Sequence, residues 1–396
     1  MVLTVKIKKK LKNFKLDVDF SAEAGCMGIL GASGSGKSMT LKCIAGIETP
    51  DEGIIILDNR ILFDSEKGIN LKPQERRVGY LFQNYALFPN MTVSQNIEIG
   101  WKTRHPSANN HDTDEQVSKM IQRFHLSGLE HQYPTSLSGG EQQRTAVARM
   151  LLAEPEVLLF DEPFSALDTY LKEELQAEIG KIMQEFGGVS LLVTHNRDEV
   201  YKLSDTLFII ERGKGTCHGD TKDLFQNPRN LAVARLTGCK NISPIEVKSN
   251  HVILATKWSL PIQIPDDPNR SEQSLIESRN ASHKSNFSQK IDKGRMYVGI
   301  RAHDFHIYKR YTQESAQAGE NSFMAVEKPE NTFEVRIREI TEAPFEWNVM
   351  FTIVGEPEDA DRLWWKVSKE IVQTRKEIEQ VEMLMIKKGG VLLLDE

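Results

Sequence analysis

The sequence predicts an α/β fold in which buried parallel strands alternate with helices, followed by a smaller β-rich domain. Two apolar runs, residues 157–160 and 189–193, flank a long charged stretch of helical character at Thr169–Phe186. Continuous apolar runs of this length are typical of strands in a parallel sheet that is covered on both faces. Towards the C-terminus the pattern changes to short strand candidates separated by polar loops, which is typical of a sandwich or barrel. We therefore expect one domain at residues 1–238 and a second at residues 239–396.

Composition limits the class of protein. The 396-residue chain has a net charge of −6, which gives no general reason to expect a nucleic-acid partner. Cys26, Cys43, Cys217 and Cys239 are widely spaced and form no C-x-x-C pair, so we expect reduced thiols rather than a zinc site or a disulfide framework. No apolar run approaches the ~18 residues of a membrane-spanning helix. We therefore expect any membrane role to act through a partner.

Residues 31–38, Gly-Ala-Ser-Gly-Ser-Gly-Lys-Ser, fit the P-loop pattern G-x-x-x-x-G-K-[ST]. The run before them is typical of the end of a buried strand, and the run after them has apolar residues at helical spacing. Glycines let backbone N–H groups close around phosphate oxygens, and the helix N-terminus adds a positive end. We expect Lys37 to reach the β- and γ-phosphates of a nucleoside triphosphate and Ser38 to hold Mg²⁺. The candidate nucleotide-binding residues are Gly31, Ala32, Ser33, Gly34, Ser35, Gly36, Lys37 and Ser38.

The apolar strand at 157–160 ends in two carboxylates, Asp161 and Glu162. Asp161 suits coordination of Mg²⁺, directly or through its waters. Glu162 would then lie near the γ-phosphate, where a carboxylate can orient or deprotonate the attacking water. Many strands end in acids, so the residues around this pair decide its function.

Residues 137–144, Leu-Ser-Gly-Gly-Glu-Gln-Gln-Arg, resemble the LSGGQ signature of ABC transporter ATP-binding subunits. Glu141 replaces the usual glutamine, a variant common among importers of the family. With the motifs above, the resemblance implies a P-loop NTPase of RecA-like type, that is, an ABC cassette with a helical insertion at about 90–150. It also implies a smaller C-terminal domain that is β-rich and OB- or barrel-like. Physically, Ser138 and the two glycines after it offer a hydroxyl and bare amides at a helix start, a second anion-binding nest.

In the family this nest contacts the γ-phosphate of ATP that is held by the opposite subunit. One P-loop and one signature in a single chain cannot build a complete site. The resemblance therefore implies a head-to-tail homodimer of C₂ symmetry with two ATP molecules between the subunits. The candidate ATP contacts on the partner's side are Ser138, Gly139, Gly140, Glu141 and Asp168.

Further family positions follow by resemblance. Gln83, at the end of an apolar strand, matches the Q-loop glutamine that contacts Mg²⁺ and water. Residues 165–168, Ser-Ala-Leu-Asp, match the D-loop between subunits, and His195, after a strand, matches the switch histidine. The resemblance thus implies catalytic roles for Glu162, His195 and Gln83, and Mg²⁺ ligands at Ser38, Gln83 and Asp161. Phe14, which begins an alternating strand pattern, is the nearest aromatic residue for adenine stacking and is equally suited to the core.

Within the family, a chain without membrane spans usually belongs to an importer with separate permease subunits and a solute-binding protein. The resemblance therefore implies a peripheral protein at the cytoplasmic face of the membrane. Residues 85–93 would accept a coupling helix of the permease or pack on the helical insertion.

Residues 73–83 resemble the equivalent segment of molybdate and sulfate importer ATPases, which favours an oxyanion such as molybdate, sulfate or tungstate. Residues 299–303, Gly-Ile-Arg-Ala-His, resemble a regulatory segment of sugar and polyamine importers, with Ala302 in place of proline. Another solute, including iron, therefore stays open, as does a non-transport ABC ATPase. Arg301 and His303 either meet an oxyanion or form surface salt bridges, and the second domain senses the ion, docks a regulator or only dimerises.

Overall fold

The computed structural model describes residues 1–11, 14–165, 169–249, 251–264, 296–308, 329–357 and 360–396. The chain divides into two compact units, Met1–Gln226 and Asn227–Glu396. This division lies before the expected boundary at residue 238. The short helix at Leu231–Leu236 therefore belongs to the second unit.

The described part of the first unit contains one sheet of eleven strands and a set of helices. The strands are β1 (Val2–Lys10), β2 (Lys15–Glu23), β3 (Gly25–Leu30), β4 (Glu52–Leu57), β5 (Arg60–Asp64), β6 (Ile69–Asn70), β7 (Val78–Leu81), β8 (Val157–Asp161), β9 (Val189–Thr194), β10 (Thr206–Glu211) and β11 (Lys214–Asp220). The helices are α1 (Lys37–Ala45), α2 (Pro73–Arg76), α3 (Val93–Arg104), α4 (Asn110–Arg123), α5 (Gly139–Leu152), α6 (Thr169–Phe186), α7 (Arg197–Leu203) and α8 (Thr221–Gln226).

The sheet has the strand order β6-β5-β4-β1-β2-β11-β10-β3-β9-β8-β7. Strands β10, β3, β9, β8 and β7 are parallel neighbours, as the sequence predicts. In the rest of the sheet, β1 is antiparallel to β2 and β4, and β4 is antiparallel to β5, whereas β11 is parallel to β2. The sequence pattern predicts the parallel neighbours and makes no prediction for these antiparallel pairs. Only a few residues separate β1 from β2 and β4 from β5, and only antiparallel neighbours can be joined by such short connections.

Strands β8 and β9 lie at the centre of the core, and every residue of both is buried. On β8, Val157 and Leu159 pack in the same apolar cluster as Ile44 of α1, whereas Leu158 and Phe160 pack with residues of α5 and α6. Successive side chains of a strand point to opposite faces. The predicted covering of both faces is thereby confirmed for these strands.

The expected helical insertion contains α3, α4 and α5. Thr92 and Ser138 are the N-caps of α3 and α5, and each forms a capping box with the residue three positions later. Buried residues of α4 and α5, including Val117, Ile121 and Val147, pack together in one cluster. Apolar residues at positions 117, 120, 121 and 124 predict a helix over residues 115–126. This helix corresponds to α4, which begins earlier, at Asn110, and ends at Arg123.

The second unit is β-rich, as predicted. It contains α9 (Leu231–Leu236), β12 (Asn241–Ser249), β13 (Val252–Ala255), β14 (Leu260–Gln263), β15 (Met296–Ile300), β16 (Phe305–Ile307), β17 (Thr332–Glu342), β18 (Glu346–Ile353), β19 (Leu363–Ser368), α10 (Arg375–Glu379), β20 (Met383–Ile386) and β21 (Val391–Asp395). Two five-stranded sheets, β14-β13-β12-β15-β21 and β16-β20-β17-β18-β19, share one apolar core in a nearly barrel-like arrangement. The buried Asn241 side chain joins them, because its amide donates to the carbonyl oxygens of Ile300 and Trp364 at 3.0 and 2.8 Å.

None of the helices in the described residues is long and apolar enough to cross a membrane.

Candidate functional site

The P-loop residues connect the end of β3 to the start of α1, which is the strand–loop–helix setting that the motif requires. Gly34 and Gly36 have left-handed φ angles of 76° and 108°, and Gly36 is the N-cap of α1. A Cβ atom on Gly36 would lie 2.7 Å from Cδ1 of Leu16. Glycine is therefore needed at position 36 for both the backbone conformation and the close packing.

Lys37 lies almost completely buried beneath this loop. Its Nζ donates to the carbonyl oxygens of Gly31 at 2.9 Å and Ala32 at 3.1 Å. Burial lowers the pKa of Lys37, although Asp161 and Glu162 act in the opposite direction. Among the described residues the buried hydroxyl of Ser35 has no hydrogen-bond partner. An ammonium group and an unpartnered hydroxyl beside a helix N-terminus fit the phosphate oxygens of a nucleotide.

Asp161, at the end of β8, is bound on both carboxylate oxygens. Its Oδ1 accepts from the Ser38 hydroxyl at 2.7 Å, and its Oδ2 accepts from the Tyr80 hydroxyl at 2.8 Å. Burial raises the pKa of Tyr80, and the Asp161 charge raises it further. The hydroxyl of Ser38 and the carboxylate of Asp161 are hard oxygen ligands of the kind that Mg²⁺ prefers. Sequence reasoning missed Tyr80, because only the pairing of β7 with β8 brings it to Asp161.

Glu162 follows Asp161 with a left-handed φ of 48°, an uncommon conformation for a non-glycine residue. Its backbone N–H donates to the carbonyl oxygen of Val193 at 2.9 Å, which fixes this turn to the end of β9. The carboxylate Oε2 lies 3.3 Å from Nδ1 of His195. Glu162 is mostly buried and His195 is mostly exposed, with 19% and 61% of their side chains accessible. The carboxylate predicted to orient or deprotonate water and the predicted switch histidine therefore lie in contact.

Gln83 is linked to Glu162 through Ser165. Its amide donates to the Ser165 hydroxyl at 3.3 Å, and that hydroxyl donates to the carbonyl oxygen of Glu162 at 3.0 Å. In the described part of the chain Gln83 makes no hydrogen bond to either Ser38 or Asp161. The predicted D-loop residue Asp168 lies outside the described residues.

The signature residues lie at the start of α5. The Glu141 carboxylate accepts from the Ser138 backbone N–H at 2.7 Å and from its hydroxyl at 2.8 Å. These bonds lower the pKa of Glu141. Within the described residues no hydrogen bond joins positions 138–141 to the P-loop. The two predicted halves of the nucleotide site, the P-loop and residues 138–141, are thus not hydrogen-bonded to each other in the part of the chain that the structure describes.

Phe14 lies in the turn between β1 and β2, and not in the strand that its sequence pattern predicts. Its ring packs against the apolar core and borders the positions of Gly36 and Gly213, at 3.4 and 2.6 Å from the Cβ atoms that these glycines lack. It also lines a surface cavity of about 460 Å³ together with Leu11 and several lysines. Phe14 is therefore next to the P-loop while it contributes to the core.

The segment after Gln83 has a strained backbone that sequence reasoning missed. Tyr85 and Ala86 have left-handed φ angles of 61° and 45°. The partly buried guanidinium of Arg149, on α5, donates to their carbonyl oxygens at 3.0 and 2.9 Å. Phe88 is 44% exposed and lies beneath the same guanidinium, 5.4 Å from ring centroid to Cζ. The signature helix therefore holds a surface segment that presents an aromatic side chain.

Arg301 and His303 make contacts within the second unit. Arg301 Nη1 donates to the carbonyl oxygen of Thr237 at 3.0 Å, and His303 Nε2 lies 3.8 Å from Oε2 of Glu346. The His303 contact fits the salt-bridge alternative, whereas the contact of Arg301 is with a backbone carbonyl.

The ABC transporter family profile matches residues 14–165. A sulfate/thiosulfate import ATP-binding protein, CysA, of Mesostigma viride is 35% identical over 76% of this chain and 85% of its own. A molybdate/tungstate import ATP-binding protein, WtpC, of Pyrococcus horikoshii is 36% identical over 80% of this chain and 82% of its own. These alignments span 308 and 319 residues and so extend beyond the first unit, which ends at Gln226.

Two shorter alignments have 40% identity. A molybdenum import ATP-binding protein, ModC, of Paramagnetospirillum magneticum aligns over 57% of this chain and 61% of its own. A spermidine/putrescine import ATP-binding protein, PotA, of Clostridioides difficile aligns over 59% of this chain and 64% of its own. The chain thus spans less than two thirds of these two relatives, and the relatives differ in the solute that they are named for.

Proposed function

This chain belongs to the ATP-binding proteins of ABC transporters and is an ATPase of that family, and we propose that it powers the import of an oxyanion. Molybdate is the first choice of substrate, with tungstate and sulfate as the others. The proposal rests on the sequence resemblance of residues 73–83 and on the two relatives that align beyond the first unit, since both are named for oxyanions.

One observation carries the catalytic part of the proposal. The Ser38–Asp161 hydrogen bond joins the P-loop to the end of β8, and the next residue, Glu162, contacts His195. A phosphate-binding loop, two hard oxygen ligands and a carboxylate–imidazole pair thereby converge at the carboxyl ends of β3, β8 and β9. Such an arrangement suits phosphoryl transfer to water, in which the protein positions the reactants and stabilises charge.

The roles follow from these contacts. The P-loop amides and Lys37 would bind the phosphates of ATP. Ser38 and Asp161 would hold Mg²⁺, which neutralises phosphate charge when bound. Glu162 would orient the attacking water, and His195 would keep the Glu162 carboxylate in place and meet the γ-phosphate. Gln83 would join this set only by leaving its hydrogen bond with Ser165.

The complete site would form in a homodimer. In support of this, none of the hydrogen bonds among the described residues joins residues 138–141 to the P-loop of the same chain. Residues 138–141 and Asp168 of one subunit would then complete the ATP site of the other. The surface segment with Phe88 would face the permease subunits at the cytoplasmic side of the membrane, and a solute-binding protein would act indirectly. No nucleic-acid partner is proposed.

Replacing Glu162 with Gln tests the catalytic assignment. The change keeps the size of the side chain and removes its charge, so we expect ATP binding to persist and hydrolysis to be almost abolished. Purified wild-type and variant proteins are compared for ATP turnover and for binding of a fluorescent ATP analogue. Equal turnover by the two proteins would show that Glu162 is not the residue that activates water.

The substrate is tested by uptake. Cells that lack the gene are supplied with the wild-type chain or with the Glu162→Gln variant, and uptake of labelled molybdate, sulfate and spermidine is measured. We expect only wild type to restore molybdate uptake. Restoration of spermidine uptake alone would favour the polyamine alternative, which the similarity to PotA supports. Titration of the full chain with molybdate, tungstate and sulfate separately tests whether the second unit senses the ion.

A further inference from the structure

Glu199 is a buried carboxylate for which the proposed reaction has no use. It lies on α7, four residues after His195, and only 3% of its surface is accessible. A buried carboxylate is costly unless its charge is paired and its oxygens accept hydrogen bonds. Its partners therefore indicate what the residue is for.

The two oxygens of Glu199 bind two different parts of the first unit. Oε1 lies 2.6 Å from Nζ of Lys172, which is on the first turn of α6 and is itself only a quarter exposed. Oε2 accepts a hydrogen bond from the hydroxyl of Thr194, the last residue of β9. One carboxylate thus joins the start of α6 to the end of β9.

Thr194 extends this connection to His195. Its hydroxyl oxygen accepts from the backbone N–H of Asn196 at 3.0 Å, so the same hydroxyl fixes the backbone on both sides of His195. Thr194 is buried, whereas His195 is mostly exposed and is placed against Glu162 across a 3.3 Å contact. The position of the imidazole therefore depends on the loop that Thr194 holds.

We propose that Glu199 is a positioning residue that sets His195 against Glu162, by binding the Thr194 hydroxyl together with the Lys172 ammonium. Because α6 begins at Thr169, directly after residues 166–168, this connection also makes the position of His195 depend on the segment that is expected at the subunit interface. Binding of a second subunit would then change the position of His195. This last step rests on the proposed function, and the placement of His195 does not.

The decisive experiment compares Glu199→Gln, Lys172→Met and the double variant in the full-length chain. Each single change leaves a buried or partly buried charge without its partner, so we expect lower thermal stability and a kcat for ATP that falls on the order of 10- to 100-fold, as for displaced catalytic groups. The KM for ATP should stay within about threefold, because the P-loop is untouched. The double variant removes both charges and should regain thermal stability, yet its kcat should remain low because α6 then has no bond to the side chain of residue 199, even where the glutamine still accepts from the Thr194 hydroxyl.

Glu185→Gln is the matched control. Glu185 is on the same helix, α6, and pairs with Arg123 at 2.7 Å, but both side chains are about half exposed. We expect this variant to keep the wild-type kcat. If kcat recovers together with thermal stability in the double variant, Glu199 serves only the fold and the proposal is wrong.

A second readout does not depend on hydrolysis. The chain has ten histidines, and the ring resonances of His195 can be assigned in isotope-labelled protein by their loss in a His195→Gln variant. We expect Glu199→Gln and Lys172→Met to shift these resonances and Glu185→Gln to leave them in place. Unchanged resonances in Glu199→Gln would overturn the inference, whereas absence of ATP hydrolysis by wild type would overturn only the proposed function.

Discussion

The hydrogen bond between Tyr80 and Asp161 offers a test of the Mg²⁺ site that we propose at Ser38 and Asp161. Tyr80→Phe removes a single oxygen atom and keeps the ring, which packs 4.3 Å from the ring of Phe82. In wild type the Tyr80 hydroxyl holds Oδ2 of Asp161 at 2.8 Å, while Oδ1 faces Ser38. Without that bond the carboxylate can rotate away from the orientation in which it would meet Mg²⁺.

The expected magnitude follows from the charge on Asp161. A hydrogen bond to a charged group contributes about 1.5–3 kcal/mol, and each 1.4 kcal/mol is about a tenfold change in affinity. Loss of such outer contacts typically weakens metal binding about 10- to 100-fold. We therefore expect Tyr80→Phe to raise the free Mg²⁺ concentration needed for half-maximal hydrolysis by about tenfold or more.

The assay measures both turnover and binding. ATP hydrolysis is followed against free Mg²⁺, and Mn²⁺ binding in the presence of a non-hydrolysable ATP analogue is followed by electron paramagnetic resonance. Affinity for the analogue in EDTA should not change, because the P-loop and Lys37 are intact. Tyr85→Phe is the control, since it removes another tyrosine hydroxyl, one that lies 3.5 Å from Oε1 of Gln143. An unchanged Mg²⁺ requirement in Tyr80→Phe would refute the role given to this hydrogen bond.

Two further predictions concern other parts of the first unit. Ser138→Ala removes the N-cap of α5 and should lower the free energy of unfolding by about 1 kcal/mol, or Tm by about 2–4 °C. It should also lower ATP turnover. Thr92→Ala removes the matched cap of α3 and should lower only Tm. If both variants keep full turnover in thermal-shift and ATPase assays, Ser138 serves only as a cap. Burial raises the pKa of Cys43 to about 12, above its unfolded value near 9, so its contribution to stability is full below pH 9 and is lost as pH rises towards 12. Between pH 8 and pH 10 the free energy of unfolding in urea should therefore fall about 1.4 kcal/mol further in wild type than in Cys43→Ala, and equal slopes would contradict a raised pKa.

Much of the fold could be predicted because its signals are local. The buried runs at β8 and β9 are continuous in the sequence, and both faces of these strands are covered as predicted. The β-rich second unit was likewise visible in short strands separated by polar loops. The antiparallel pairs of the large sheet were not predicted, because the pairing of β1 with β4 joins segments that are far apart along the chain. A strand pattern contains no information about which strand will be its neighbour.

Sequence by itself predicted the chemistry of the site, because a P-loop, a carboxylate pair and a signature nest are short runs whose residue types and spacing indicate their function. The apolar strand that ends at Gln83, residues 161–162 and His195 were each identified as separate stretches. Only the tertiary structure decided which atoms meet: Tyr80 with Asp161, Gln83 with Ser165, and Glu199 with Lys172 and Thr194. These contacts depend on strand register and helix packing, which are set by the whole core and not by any local run of residues. The residues that contact the predicted catalytic groups could therefore be identified only from the tertiary structure.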